Sequence, residues 1–478
     1  MALAAGIILV LLLFLAVPVA HALLIASGLA MIIHEPLFLF EAILNLYQPS
    51  SSFPMLAIPF FIFAGDIMMS GRFGEYLILF ARAIVGGMRG GLAQVSVVGS
   101  LVFGGVSGSA VAYASAIGNA LIPVQKKQGY PQGYAAAVNA ASSTISVLIP
   151  PSIPLILYGL VTETSIPRLF VAGFIPGLIL TVLIFSLCYA IGRNKNLPRS
   201  RGREDGALAL SRFFDRRDAV VIIVSNLILL GLFMSGHLGG WTVAVIWGTA
   251  TVLYPVFGSR RFQWRTIPAQ LYRAIPALVM PAMVLVLARG GVVTPTEISV
   301  FAVVYALIVS AFIYRDLTIG MMLRCILSSG MMTGVIMLVI MGSSVLQWVL
   351  SYESVPEHLA LFMLDTLHSP WAIILAMNVL MICIGTVLDL PAAILLLAPI
   401  FSGVAAYIGL DPIQLGVMMV VNLAIGLYTP PVGTTLFVSV AIERVPMWQV
   451  VRQLIPFYVG ALAVLMLVSY VPFVTKIF

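Results

Sequence analysis

The segment LFVAGFIPGLILTVLIFSLCYAIG, from Leu169 to Gly192, contains no charged residue in 24 positions. At about 1.5 Å per residue, a helix of this length can cross a hydrocarbon core about 30 Å thick. A second run of the same kind is AVVIIVSNLILLGLFMSG, from Ala219 to Gly236. Both runs are continuous rather than alternating, which favours transmembrane helices over the strands of a β-barrel.

The composition extends this interpretation to the whole chain. Hydrophobic residues make up 61% of the 478 positions and charged residues only 9%, which is far from the balance of a soluble domain. We therefore predict an all-α polytopic membrane protein. The apolar stretch 2–34 would form either one long tilted helix or two short helices broken at Pro18, and analogy with residues 275–314 favours two. A cleaved signal peptide is disfavoured there, because no basic segment precedes the apolar run.

Basic residues concentrate in two stretches. Of the 24 Lys and Arg residues, eight lie between Arg193 and Arg217 and four between Arg260 and Arg273. Cytoplasmic loops of membrane proteins collect positive charge in this way. The net charge of +7 therefore indicates topology and contact with lipid headgroups, and no nucleic-acid partner is expected.

Paired prolines reveal an internal repeat. Pro150-Pro151 recurs as Pro430-Pro431, and Pro176 recurs as Pro456, both at a displacement of 280 residues. Self-similarity of this kind indicates two copies of one structural unit. The predicted parts of the chain are a first repeat at 1–192, a middle part at 193–274 and a second repeat at 275–478. The middle part would hold a basic cytoplasmic loop and two linking helices, near 219–236 and 239–257.

Charge also predicts how each repeat is oriented. Residues 90–125 carry no charge and lie between Arg89 and Lys126, so both ends of the segment are expected in the cytoplasm. Folded in two, these 36 residues give arms too short to span comfortably, which favours a re-entrant helical hairpin. Residues 369–410 have no basic flank, and their ends are expected in the periplasm. The repeats are therefore predicted to be inverted, although two full spans per segment would satisfy the same charges.

Each repeat also contains a helix that the paired prolines must interrupt. Proline lacks a backbone N–H donor and clashes with the preceding turn. The helices predicted at about 133–161 and about 411–441 therefore open at Pro150-Pro151 and Pro430-Pro431. Such an opening frees carbonyl oxygens, which bind hard cations, and exposes a helix N-terminus, which attracts anions. A kink facing lipid is the alternative for one Pro-Pro, but its repetition favours a binding site.

One carboxylate lies in the middle of the second hairpin segment. Asp389 is the only charged residue among the 42 residues from 369 to 410. A charge at membrane depth is costly unless it is paired or bound to an ion, so Asp389 is a candidate functional residue. Sodium coordination is the first interpretation and a proton relay the second. Asp66 and Glu297 also interrupt apolar runs, and for both of them structural pairing and function stay open.

Several linked motifs resemble those of one transporter family. They are FPMLAIPFFIFAGDIMMSG from Phe53, FGGVSGSAVA from Phe103, IPPS from Ile149, TPTE from Thr294, LDLPAAILLLAPI from Leu388 and NLAIGLYTPPVGTTLFV from Asn422. The chain is thereby similar to the large permease (M) subunit of tripartite ATP-independent periplasmic (TRAP) transporters, except for the basic insert around 194–217. Tyr113, where the family often has an acidic residue, and Leu390-Pro391 depart from the commonest pattern.

The resemblance implies a function and its participants. It implies an elevator-type, sodium-coupled secondary uptake of a small organic anion, a carboxylate, across the bacterial inner membrane. The expected partners are a small four-helix membrane subunit and a periplasmic substrate-binding protein that delivers the substrate. Sodium (Na+) is expected as a transported coupling ion, and no enzyme activity is expected.

The resemblance, carried over position by position, also implies site residues. Those expected around sodium are Gly105, Ser107, Ser109, Ile149 and Pro150 in the first repeat and Gly385, Asp389, Thr429 and Pro430 in the second. Those expected near the substrate are Ser107, Ser109, Asn139, Ser142, Thr386 and Gly433. Because the central motifs contain no Lys or Arg, a substrate carboxylate would rely on helix N-termini, hydroxyl groups and bound sodium.

Three other classes of function are alternatives to sodium-coupled uptake with a binding protein. A self-sufficient sodium/anion symporter would share the inverted repeat but need no binding protein. A membrane-embedded enzyme is disfavoured because the five histidines are scattered and no acid, base or metal constellation is recognisable. A channel is disfavoured because no charged or carbonyl-ring pore motif is present.

The three cysteines lie in apolar segments without metal-ligand spacing and are interpreted as packing residues.

Overall fold

The computed structural model describes residues 1–198, except 16, 36–37 and 87, and residues 269–475, except 292. The helices of the described residues, numbered along the chain, are α1 Ala2–Phe14, α2 Val19–His34, α3 Phe38–Tyr47, α4 Ala57–Ser70, α5 Phe73–Val85, α6 Gly91–Ser107, α7 Ala110–Lys127, α8 Tyr134–Ser143, α9 Ile153–Val161, α10 Ile166–Asn194, α11 Ala269–Gly290, α12 Pro295–Ile308, α13 Ile319–Tyr352, α14 Val355–Leu367, α15 Pro370–Gly385, α16 Leu390–Ile408, α17 Pro412–Gly426, α18 Thr434–Glu443 and α19 Met447–Tyr470. Most of the basic loop and both predicted linking helices lie outside the described residues.

Several helices are long and apolar enough to cross a membrane. Six described spans meet this criterion, and α14 with α15, which are bent by 120° at their junction, would make a seventh. The six are Phe53–Ser70, Ile166–Asn194, Pro295–Ile313, Ile319–Tyr352, Leu390–Ile408 and Met447–Tyr470. The prediction of an all-α, multi-pass membrane protein is confirmed for the residues that the structure describes.

The first apolar stretch forms two helices, as predicted. α1 ends at Phe14, and Pro18 immediately precedes the first residue of α2. Proline suits a helix start, because its fixed φ matches the helix and its missing N–H would have had no partner there. α1 and α2 pack against each other, and α2 also packs along α13.

The two carboxylates left open by the sequence both have hydrogen-bond partners within the fold. Glu297 and Thr294 form a reciprocal capping box at the start of α12, an arrangement that satisfies two backbone donors which a helix start leaves free. Asp66, inside α4, accepts a hydrogen bond of 2.8 Å from the Ser329 hydroxyl on α13. Structural pairing therefore accounts for the position of each.

α6 and α7 form a helical hairpin, which we call the first hairpin. Only Gly108 and Ser109 separate the two arms, and Gly108 adopts the left-handed conformation with φ of +57°. The arms are antiparallel, because the Gln125 side chain near the end of α7 donates to the Leu92 carbonyl near the start of α6 at 3.0 Å. A glycine reverses the chain here because it adopts positive φ without the Cβ penalty.

α15 and α16 form the second hairpin, with residues 386–389 between the arms. Its open ends meet: Trp371, at the start of α15, and Gly409, just after α16, line one cavity of about 190 Å³. The Trp371 ring also stacks on Tyr470 at the end of α19, with ring centroids 4.9 Å apart. The base of the second hairpin thus lies beside the C-terminus of α19.

The same order of elements occurs twice. From α5 to α10 and from α14 to α19, a helix, a hairpin, a helix broken at Pro-Pro and a long helix follow one another, with helix starts displaced by 278 to 282 residues. The two long helices pack antiparallel, because Lys195, just after α10, donates to Gln453 near the start of α19 at 3.1 Å. Antiparallel packing of equivalent helices agrees with an inverted repeat. The division into domains stays a prediction.

The two halves exchange contacts through their broken helices. The first broken helix consists of α8 and α9, and the second of α17 and α18. In the first hairpin, α7 packs on α8 of its own repeat and on α18 of the other. Reciprocally, α16 of the second hairpin packs on α17 and on α9. Every residue of α8 is buried in this arrangement, so the broken helices form the centre of the fold.

Candidate functional site

The first broken helix opens over residues 144–152. α8 ends at Ser143 and a short 3-10 turn follows. Ser152 then begins α9, accepting a hydrogen bond of 3.3 Å from the Leu155 N–H. The Ser152 hydroxyl donates in turn to the carbonyl of Val147. A serine before the first helical residue is a favoured N-cap, so the second half of the broken helix has a well-defined positive end at the break.

The tip of the first hairpin lies directly against this break. A Cβ atom added at Gly108 would lie 2.3 Å from the Pro151 carbonyl oxygen, and one added at Gly105 would lie 3.4 Å from that of Pro150. Among the described residues, no backbone N–H donates to either carbonyl oxygen. Such oxygens are ligands for a hard cation. The structure thus brings together the predicted residues Gly105 and Pro150.

Ser107 and Ser109 flank the same tip, and both are half-buried. The Ser107 hydroxyl accepts a hydrogen bond of 3.4 Å from the Ser109 N–H, and the Ser109 hydroxyl accepts one of 3.4 Å from the Ala112 N–H. The Ile149 side chain instead packs against Gly177 of α10. Of Ile149, only the backbone is therefore a candidate ligand.

Two residues that contact the first tip were not predicted from the sequence. A Cβ atom at Gly105 would lie 2.3 Å from Cγ of Pro281, on α11. A Cβ atom at Gly65, on α4, would lie 3.3 Å from the Cα of Ser107. Helices outside the broken pair thus enclose this tip. The Gly65 contact joins residues far apart in sequence, and no local pattern marks it.

The second hairpin meets the second break in the same way. The Val432 N–H donates to the Thr386 carbonyl at 3.1 Å, which links the hairpin tip to the break. The backbones of Gly385 and Gly426 are in contact, since a Cβ atom at Gly426 would lie 2.4 Å from the Gly385 carbonyl oxygen. A glycine is needed at position 426, because any side chain there would separate the hairpin from α17.

The second break turns sharply at Gly433. Its φ of +33° is in the region that favours glycine, and a Cβ atom there would lie 2.8 Å from the Thr429 carbonyl oxygen. The Thr429 hydroxyl donates to the Ile425 carbonyl at 2.7 Å. Among the described residues, no backbone N–H donates to the carbonyl oxygens of Thr429 or Pro430. The predicted residues of the second site therefore lie around one turn.

Asp389 lies at the tip of the second hairpin, beside the N-terminus of α18. Its Oδ1 accepts a hydrogen bond of 3.5 Å from the hydroxyl of Thr434, the first residue of α18. The partial positive charge of a helix N-terminus favours a carboxylate at this position. The Asp389 side chain is exposed on the chain, whereas Gly104, Gly105 and Gly108 of the first tip are buried. The second tip is thus the more open of the two.

Asn139 and Ser142, the other expected substrate neighbours, are fully buried on α8. The Asn139 amide donates to the Ala114 carbonyl and to the Ser439 hydroxyl, both at 2.9 Å. The Ser142 hydroxyl lies 3.3 Å from that of Ser96. These contacts join α8 to the first hairpin and to α18. A part in substrate binding stays a prediction for both residues.

Tyr113 and Leu390-Pro391, which depart from the family pattern, both fit their surroundings in the fold. Tyr113 is fully buried; its hydroxyl donates to the Ser96 carbonyl, and its ring meets Phe103 edge-on with centroids 5.7 Å apart. Leu390 and Pro391 form the first turn of α16, where proline is well tolerated.

Two buried polar contacts at the helix interfaces were not predicted from the sequence. The Asn422 amide on α17 donates to Asn378 Oδ1 on α15 at 2.8 Å. Glu443, at the end of α18, accepts hydrogen bonds from the backbone at the start of α8. The sequence contains one local indication of the Glu443 contact. Gly133 precedes α8 and has no side chain that could cap this helix.

The chemistry available at both breaks is mainly that of neutral oxygen atoms. Among the described residues, no group of three or more His, Cys, Asp or Glu side chains could hold a metal ion. A cation bound at either break would therefore rely on carbonyl and hydroxyl oxygens, with Asp389 as a carboxylate at the second. Anions would meet the N-termini of α9 and α18, which both begin at a break.

Comparison with known proteins gives a consistent family assignment. The sequence profile described as "Tripartite ATP-independent periplasmic transporter, DctM component" matches residues 6–474. An uncharacterized protein, y4mL of Sinorhizobium fredii, is 42% identical over 97% of each chain. The C4-dicarboxylate TRAP transporter large permease protein DctM of Pseudomonas aeruginosa is 32% identical, over 94% of this chain and 92% of the relative. The sialic acid TRAP transporter large permease protein SiaM of Vibrio cholerae is 29% identical, over 96% and 94%.

Solved structures show the same kind of fold at low sequence identity. The YdaH transporter of Alcanivorax borkumensis superimposes with a TM-score of 0.54 at 15% identity, over 90% of this chain and 87% of the other. MtrF of Neisseria gonorrhoeae superimposes with a TM-score of 0.51 at 11% identity, over 94% and 85%. The first is described as a transporter and the second as one of a class of antimetabolite efflux pumps, and the likeness concerns the fold.

Proposed function

Because the chain belongs to the DctM-component family of tripartite ATP-independent periplasmic transporters, we propose that it carries a small organic anion into the cell together with sodium ions. It is a large permease subunit, a multi-pass protein of the bacterial inner membrane and a transporter rather than an enzyme. The coupling ion, the substrate and the transport motion are the parts that we propose.

One observation carries the proposal: each hairpin tip contacts the Pro-Pro break of its own repeat. Gly108 lies against Pro151 in the first repeat, and Thr386 accepts a hydrogen bond from Val432 in the second. Broken helices that meet a hairpin in this way supply both carbonyl oxygens and helix N-termini. A cation and an anion can therefore be held side by side without a resident Lys or Arg.

Sodium is the proposed coupling ion at both breaks. In the first repeat, the carbonyl oxygens of Ile149 and Pro150 and the polar groups of Gly105, Ser107 and Ser109 would surround it. In the second repeat, Gly385, Asp389, Thr429 and Pro430 would do so. Support comes from carbonyl oxygens that receive no backbone hydrogen bond among the described residues and from the position of Asp389 at the second tip.

The proposed substrate is a small carboxylate held between the two tips. The N-termini of α9 and α18 offer backbone N–H groups and positive helix ends to an anion. Thr386 and Gly433 lie at the second break and are the nearest candidates to contact it. Two of the three relatives described above are named for C4-dicarboxylates and for sialic acid, which all carry carboxylate groups.

We further propose an inverted-repeat, elevator-type motion with two partners. The antiparallel packing of α10 and α19 supports the inverted relation, and the reciprocal packing of hairpins and broken helices supports their movement as one body. The large permease would work with a small four-helix membrane subunit and a periplasmic substrate-binding protein. The binding protein would select the anion and deliver it to the outer side.

The test is uptake into proteoliposomes that contain this chain, its small subunit and its binding protein. Succinate, a C4-dicarboxylate, and sialic acid serve as labelled probes, and an inward sodium gradient is compared with an inward potassium gradient of the same size. Uptake of at least one probe should require sodium and all three proteins. Equal uptake under both gradients would overturn sodium coupling. Uptake of free substrate by the isolated chain would identify a self-sufficient symporter instead.

A further inference from the structure

The first half of the first broken helix begins without a cap of its own. α8 starts at Tyr134, after Gly133 at the N-cap, and Ala136 occupies its third position. A self-sufficient capping box needs a polar side chain at both the N-cap and the third position. Glycine and alanine supply neither. The free N–H groups at this buried helix start must therefore be satisfied from elsewhere.

Glu443, from the other repeat, satisfies them. One carboxylate oxygen accepts a hydrogen bond of 2.8 Å from the Gly133 N–H, and the other accepts one of 2.7 Å from the Ala136 N–H. The Glu443 side chain is 4% exposed. A single carboxylate, 310 residues away in sequence, thus makes both bonds of a capping box. Its negative charge also lies at the positive end of α8.

The cap must come from another element because the position before α8 is closed to side chains. Gly133 has a φ of +77°, and a Cβ atom there would lie 2.9 Å from backbone atoms of Gln449. The equivalent half-helix of the other repeat is built differently. Asp411 precedes α17 and caps its own helix, accepting a hydrogen bond of 2.8 Å from the Ile413 N–H. The two repeats therefore differ at this point.

Glu443 also stands between the two breaks. α18 begins next to the second break, at Thr434 beside Asp389, and ends at Glu443. α8 begins at the Glu443 carboxylate and leads to the first break. Lys126, at the end of the first hairpin, donates to the Glu443 carbonyl at 3.2 Å. Two ten-residue helices and one hairpin arm are thus joined at a single residue.

We propose that Glu443 is a positioning residue that fixes α8 on α18 and so holds the two breaks in one relative position. This inference rests on the proposed function only in that the breaks form the transport site. Without the carboxylate, the start of α8 loses two hydrogen bonds, and the first break can move relative to the second. Glu443 does not touch the proposed site, so its effect is transmitted through α8.

The direct test is hydrogen exchange of the purified transporter, which requires no knowledge of ion or substrate. In Glu443→Gln the amide keeps one acceptor oxygen but turns an NH₂ group toward a backbone donor. Exchange of the amides at 133–137 should rise about tenfold or more, because a buried charge-assisted cap is lost. Asp411→Asn is the matched control: it should raise exchange at the start of α17 and leave α8 unchanged.

The functional test uses the same variants in proteoliposomes, with whichever cation gradient drives the unmodified transporter. Maximal uptake by Glu443→Gln should fall about tenfold, while the concentration of loaded binding protein that gives half-maximal uptake stays unchanged. Glu443→Asp, which keeps both oxygens, should recover part of the rate and part of the protection from exchange. If sodium gives no stimulation even in the unmodified protein, the proposed function fails, but the exchange result still decides this inference.

Two outcomes would overturn the inference. Unchanged exchange at 133–137 in Glu443→Gln would mean that the carboxylate does not hold the start of α8. Increased exchange with a normal maximal rate would mean that the cap serves stability alone and does not position the breaks. If Glu443→Gln cannot be purified, the milder Glu443→Asp variant carries both measurements, and wild-type values for both would likewise refute the proposal.

Discussion

Replacing Gly108 by alanine tests the contact between the first hairpin and the first break. The residue adopts a φ of +57°, and the new Cβ atom would lie 2.3 Å from the Pro151 carbonyl oxygen. A left-handed conformation costs a residue with a Cβ atom about 1–2 kcal/mol. Overpacking of a close contact adds about 1–3 kcal/mol. The two costs together destabilise the state in which the tip contacts the break by about 2–5 kcal/mol.

The strain caused by the alanine is relieved most easily if the tip moves away from the break. At about 1.4 kcal/mol per factor of ten, the equilibrium constant for docking of the tip would fall about 25-fold or more. We expect uptake of labelled substrate by Gly108→Ala in proteoliposomes to fall by a similar factor. The binding of loaded binding protein on the outer side should not change, because Gly108 is buried inside the chain.

Gly409→Ala is the matched control. Gly409 also follows a hairpin arm in the left-handed conformation, with φ of +69°, but nothing lies within 4 Å of an added Cβ atom. The control carries the conformational cost of about 1–2 kcal/mol without the clash. It should lower the midpoint of thermal unfolding slightly and keep uptake within about twofold of the unmodified rate. Equal uptake by the two variants would refute the proposed role of the contact between tip and break.

Three further predictions address other parts of the site. Asp389→Asn should preserve folding, as judged by size-exclusion chromatography, but raise the sodium concentration for half-maximal uptake, because the Coulomb attraction of one anionic ligand for sodium is lost; an unchanged sodium dependence would exclude Asp389 as a coupling ligand. Asn139→Ala should lower stability by about 1–3 kcal/mol, since two buried partners lose their donor, whereas exposed Asn119→Ala should have little effect; equal thermal midpoints would contradict this. Single cysteines at the base of the first hairpin should label only from the cytoplasm and those at the base of the second only from the periplasm; a cysteine at Ser107 that labels freely from outside under every condition would exclude a re-entrant hairpin.

The general architecture could be read from the sequence because its signals are local. Long uncharged runs mark helices by length alone. Pro150-Pro151 and Pro430-Pro431 act on the backbone wherever they stand, so both openings could be placed near these residues, although α8 already ends at Ser143 and α17 at Gly426. The break at Pro18 follows from the same property of proline. Each of these signals depends on the residue itself and not on its distant neighbours.

The interior of the site was less accessible to sequence reasoning, because its contacts join distant segments. Nothing near Glu443 indicates that it binds the start of α8, 310 residues earlier. The contact of Pro281 with Gly105 also joins segments that are far apart in sequence. The open position of Asp389 could not be foreseen either, since charge and hydropathy report depth but not enclosure. Sequence therefore predicted which segments open but not which segments close around them.

The capping of α8 by Glu443 has a consequence for how the two halves can exist. A half-chain that ends before the second repeat would leave the Gly133 and Ala136 N–H groups without their acceptor inside a fully buried helix. The second half-chain would carry a carboxylate with nothing to bind. The second repeat does not share this dependence, because Asp411 caps α17 from within its own half. Each half-chain alone therefore lacks the partner of one buried polar group, which makes the two halves interdependent at this helix start.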